Sequence, residues 1–74
     1  MTDIPSISFR RLIQKVKLLG FEAVRQKGSH MRFVHPDGRK TTIPDHGNKD
    51  VPQGLLVKII HYDLEMKVED FFRS

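Results

Sequence analysis

The sequence contains no cysteine. Disulfides therefore cannot brace it, and no thiolate is available as a nucleophile or metal ligand. That absence fits a reducing, cytoplasmic setting. No apolar run is long enough to span a bilayer, so no membrane role is expected. The opening "MTDIPSISF" lacks the basic and apolar regions of a signal peptide. There is no internal repeat, no low-complexity tract and no linker. P-loop, dinucleotide-binding and nucleophile-elbow motifs are also missing, which removes the common signatures of nucleotide and acyl-transfer chemistry.

What is present suits one small domain over residues 1–74. A chain this short buries a modest fraction of its surface, so its core is marginal. Hydrophobic residues make up 38% and charged residues 30%, enough apolar content to argue against disorder. The net charge of +4 favours anionic partners through long-range attraction, without choosing among them.

"SFRRLIQKVKLL" (8–19) predicts a helix, with Phe9, Leu12, Ile13, Val16 and Leu19 on one face. Ser6 or Ser8 is the candidate N-cap. Gly20 suits the left-handed position that ends a helix, with Phe21 packing back. Arg10, Arg11, Lys15 and Lys17 fall off the apolar stripe and read as a solvated face.

Three strands are expected next, at 21–26, 30–35 and 40–43. Lys27 and Gly28 form the predicted first turn. "PDGR" (36–39) is the second, with Gly38 in the left-handed position. After Pro44 and a loop, Asp50 and Gln53 match a capping box for a second helix that buries Leu55, Leu56, Ile59 and Ile60. "KVEDFF" (67–72) reads as a further helical turn, docking Val68, Phe71 and Phe72. The fold class is α+β, ordered α-β-β-β-α: a three-stranded antiparallel sheet with both helices on one face. The other sheet face is left open to solvent or a partner.

Side chains alternate across a strand. Met31, Phe33 and His35 share one face of the second strand, and His30, Arg32 and Val34 share the other. The helices should cover the face with Met31 and Phe33. His30 and Arg32 then stand on the open face at the mouth of a glycine turn, with Arg25, Lys27 and Lys40 nearby. This group suits RNA cleavage. A base titrating near neutrality takes the ribose 2′-hydroxyl proton. Cations stabilise the charge that builds on phosphorus. Gly28 allows close backbone approach, and Ser29 offers a hydroxyl to a phosphate oxygen. The bland reading of the same residues is an inert histidine beside a basic turn. The four histidines share no metal-ligand spacing, so no metal site and no cofactor are expected.

The stretch "GFEAVRQKGSHMRFVHPDGRKTTIPDHGNKDVPQG" resembles the HicA family of small mRNA-interferase toxins, partners of HicB antitoxins. The likeness is carried by Arg25-Gln26-Lys27-Gly28-Ser29-His30, His35-Pro36-Asp37-Gly38-Arg39, Ile43-Pro44, His46, Lys49 and Pro52-x-Gly54-Leu55. It departs at Met31, where many relatives carry a polar residue, and thins over "HYDLEMKVEDFFRS" (61–74). The resemblance implies a fold like double-stranded-RNA-binding domains and metal-independent cleavage of RNA. It implies His30 as the catalytic residue and Arg25, Lys27, Ser29, Arg32 and Lys40 as phosphate contacts. It also implies a HicB-like antitoxin protein that covers the site. The alternative is a domain of this type that binds RNA without cutting it.

Overall fold

The structure is a computed structural model that describes residues 4–73; residues 1–3 and 74 of the expected 1–74 domain lie outside them. Helix α1 runs over Phe9–Leu18, strands β1, β2 and β3 over Glu22–Lys27, His30–Val34 and Lys40–Pro44. Helix α2 (Gln53–Lys58) continues into a π-helical turn (Ile59–Asp63), and α3 spans Val68–Arg73. The sheet is antiparallel in the order β1-β2-β3, so β2 is central. The shortest extent of 17 Å admits only two layers, one sheet and one helical layer. This is the α+β arrangement expected from the pattern.

Helix α1 begins where Ser8, in extended conformation, accepts the Arg11 backbone N–H at 3.1 Å. It ends in a Schellman motif: the Phe21 N–H donates to the Val16 carbonyl, and the Gly20 N–H to that of Lys17. Gly20 has φ +100°. A Cβ there would also lie 3.0 Å from His35 Nε2, so strain and crowding exclude larger residues together.

The core joins Phe9, Leu12, Ile13 and Val16 of α1 to Phe33 and Ile43 of the sheet. Leu56, Ile59, Ile60 and Leu64 complete it, and Phe71 closes it from α3. Leu55, Val68 and Phe72 are half-buried at its margin.

Three expectations need correction. The first turn consists of Gly28 and Ser29, closed by the pair Lys27↔His30, so Lys27 belongs to β1. Gly28 has φ +60°, while Ser29 does not enter the left-handed region, which fits a turn with glycine at its first central position. Asp50 does not cap α2. The residue at the cap is Pro52, with no side-chain cap bond, and Gln53 instead donates to the Ile4 carbonyl. The physical cause lies in the chain before it. Phe9 N–H donates to Lys49 O, and Val51 N–H to Ile7 O, so residues 49–51 are held extended against the N-terminal segment. Pro52 adds its own bias toward extension at Val51.

The third correction is Lys15, which is buried rather than solvated, its Nζ 5.1 Å from the centre of the Phe71 ring. Helix α3 folds over this flank of α1, where the lysine stem packs and its charge meets an aromatic face.

Candidate nucleic-acid interface

Paired residues in antiparallel strands share a face, so the register fixes what surrounds His30. One row across the open face is Lys27–His30–Pro44, and the next is Arg25–Arg32–Thr42. The third is Glu22–Val34–Lys40. Arg25, Lys27, His30, Arg32 and Lys40 are all exposed. Among the described residues none of them forms an ion pair or a side-chain hydrogen bond. Beneath, on the helical side, lie Met31, Phe33 and Ile43, with Phe33 and Ile43 fully buried.

The β1 side of these rows depends on a bulge. The register shifts between Ala23 and Arg25, leaving Val24 as the extra residue. Ala23 pairs with Phe33 and Arg25 with Arg32, on opposite faces, although they are two residues apart. Without the bulge, a strand that presents Arg25 and Lys27 outward would also turn Ala23 outward. The bulge and the long cations on this strand also protect an edge from unwanted pairing.

Ser29 is half-buried in the turn, and its carbonyl accepts the Asp45 N–H at 2.7 Å. The Gln26 side chain donates to the Gly28 carbonyl. These two bonds brace the turn at the end of the row that carries His30.

The second histidine-containing motif serves the scaffold. His35 lies on the helical side with its ring against Phe21, 5.0 Å between centroids. Its Nδ1 lies 3.1 Å from the Asp37 backbone nitrogen and 3.0 Å from Asp37 Oδ1. The first contact requires a lone pair on Nδ1 and the second a proton, so the ring can hold the turn in either protonation state. Arg39 donates to Asp37 at 2.8 Å and to the Leu64 carbonyl at 2.6 Å, tying the β2–β3 turn to the end of the helical layer. Its guanidinium also lies 5.2 Å from the Phe21 ring centroid. Gly38, at φ +100°, makes the turn as expected.

Asp37 is held below the ordinary carboxylate value, chiefly by the Arg39 backbone N–H that donates to it. Desolvation opposes this, while the Arg39 guanidinium and His35 reinforce it. A depressed carboxylate contributes stability above its unfolded value and loses it as pH falls through its folded value. Asp37→Asn should therefore lower the melting temperature at neutral pH, with the difference from wild type closing in acid. Thermal melts at neutral and acid pH check this; a gap that stays constant would remove Asp37 as the source. The effect is small, since the side chain is about half exposed to screening solvent.

Residues that pattern reading passed over also line the face. Thr42 and Pro44 flank Arg32 and His30, and the pairing register is the signal that finds them. Lys58 reaches the β3 edge from α2 and helps line an open groove there. No periodicity connects a helix residue to that edge.

The family model described as the HicA toxin of bacterial toxin–antitoxin systems matches residues 9–64. This chain belongs to the HicA toxin family. The match covers both turns, His30 and the whole sheet, and it stops within the segment where the resemblance thins. A toxin–antitoxin partnership follows from membership. Comparison with curated proteins gives no match. Among the described residues of this HicA-family chain, no helix is long and apolar enough to cross a membrane.

Proposed function

We propose that the whole chain, residues 1–74, acts as one toxin domain: a metal-independent endoribonuclease that cuts mRNA in the cytoplasm and is held inactive by a HicB-like antitoxin. The reading is carried by one observation: an exposed imidazole on the central strand stands in register with Lys27, beside Arg25 and Arg32, which have no ion-pair partners among the described residues.

His30 accepts the ribose 2′-hydroxyl proton as the 2′-oxygen bonds to phosphorus. The bond from phosphorus to the 5′-oxygen then breaks, and that oxygen leaves with a proton from a general acid. Lys27, directly across the hairpin, carries charge to the phosphorane oxygens and is the nearest proton donor in register. His35 is on the opposite face and takes no part. Arg25, Arg32, Lys40 and Ser29 bind phosphate oxygens. Gly28 keeps the backbone low enough for the ribose to approach.

The test is incubation of the intact protein with unstructured RNA in the presence of chelator. Cleavage should proceed and leave 2′,3′-cyclic phosphate and 5′-hydroxyl ends. Products ending in 5′-phosphate would rule out attack by the 2′-hydroxyl. A second reading, RNA binding without cleavage, is favoured by the basic rows extending past His30 to Lys40. It predicts binding that weakens steeply with salt and no cutting at any pH around neutrality.

A further inference from the structure

The groove at the β3 edge is lined by Arg32, Lys40, Thr41, Thr42, Lys58 and Asp63 and encloses about 250 Å³. It wraps from the open face, where Arg32, Thr42 and Lys40 stand, round to α2 and the π-helical turn. Three cations face one carboxylate, and among the described residues none of the four forms an ion pair. Asp63 is engaged by the Thr41 hydroxyl at 2.9 Å. The π-helical turn, closed by the Leu64 N–H on the Ile59 carbonyl, carries Asp63 to that position.

The rows of the open face give this groove a place on a substrate path. Arg32 lies one row from His30 and Lys40 two rows, each step being about 6.6 Å along the strand. That step is close to the phosphate repeat of an extended single strand. The third row is electrostatically lopsided, with Glu22 at the β1 edge and Lys40 at the β3 edge. A polyanion crossing from His30 is therefore turned away from β1 and toward β3. Beyond β3 the next cation is Lys58, on a different element from the sheet cations.

We infer that the β3–α2 groove is a phosphodiester subsite, in which Lys58 and Lys40 hold a backbone phosphate of a single strand whose scissile bond lies at His30, with Arg32 on the phosphate between them. Thr42 supplies a hydroxyl to the same group. The carboxylate of Asp63 limits the groove to one phosphate. The inference rests on the nuclease reading for the position of the scissile bond, but the subsite itself is a matter of binding.

The experiment measures binding of 2′-O-methyl RNA oligomers, which lack the attacking hydroxyl, to the wild-type chain and to Lys58→Ala and Lys58→Glu. Lys58 is exposed, so both variants should melt like wild type. For a hexamer, Lys58→Ala should weaken binding several-fold and flatten the slope of log K against log salt by about 0.7, the value of one lost phosphate contact. Lys58→Glu should weaken it further, and a dinucleotide should bind all three proteins alike. Equal losses at every length, no loss at any length, or no oligomer binding by wild type would each overturn the subsite. So would protection of the groove by a polyglutamate peptide in place of RNA. Cleavage of ordinary RNA is scored separately. Wild-type cutting with no effect of Lys58 sinks the groove alone, whereas length-dependent binding without cutting sinks the nuclease reading alone.

Discussion

His30→Ala should lose cleavage by about 10²–10⁴-fold, the usual contribution of a positioned proton carrier, while folding as wild type does. The imidazole is exposed on the open face and has no side-chain hydrogen bond among the described residues, so its removal leaves no cavity and no orphaned partner. A surface change of this kind costs within about 0.5 kcal/mol. RNA binding should persist, because Arg25, Lys27 and Arg32 are untouched and supply the electrostatic attraction. Single-turnover cleavage, thermal melting and binding of a cleavage-resistant RNA together separate these effects. His35→Ala is the internal contrast. That ring packs on Phe21 and holds the Asp37 turn, so its loss should appear as a lower melting temperature, with the chemical step preserved at low temperature. A His30→Ala protein that cuts as fast as wild type would end the mechanism.

The largest effect on stability is expected at Phe33. It is completely buried on the central strand, within the core cluster shared by the sheet and the helices, and belongs to the same β2 that carries His30 and Arg32 outward. Truncating a buried phenylalanine to alanine removes its transfer free energy and leaves a cavity, at a cost of about 3–5 kcal/mol. A domain of this length has a total stability of about 4–11 kcal/mol on the usual per-residue scale. Phe33→Ala should therefore remove about a quarter or more of the stability, and cleavage with it at temperatures where the variant unfolds. Urea denaturation measures the loss directly. Leu18→Ala is the matched control, since Leu18 is 81% exposed and should change the midpoint little. If both variants shift the midpoint equally, the buried cluster around Phe33 is not what holds the sheet to its helices.

The two experiments act on opposite faces of one strand. The alternation that buries Phe33 is the alternation that exposes His30, so stability and the proposed chemistry share a single geometric cause. That much was readable from "HMRFVH" alone. The "PDGR" turn and the Schellman end at Gly20 were readable as well, because proline and glycine limit the backbone at the positions they occupy. Val24 was not. A bulge is a mismatch between two strands, and neither strand records it alone. Asp50 misled for a related reason. The capping-box spacing is present, but the extended pairing of residues 49–51 with the N-terminal segment keeps the helix from starting there.

The amino-acid order by itself determined the elements, their order, the buried and open faces of β2, and the family resemblance that the match over 9–64 bears out. Those features come from short-range rules, in which a residue's place in a helix or strand period decides which way it points. Tertiary structure alone decided that Lys15 is covered by Phe71, that Arg25 aligns with Arg32, and that Lys58 reaches the edge of β3. Each of these joins two different elements, and only the packing or pairing of one element with another brings their side chains together.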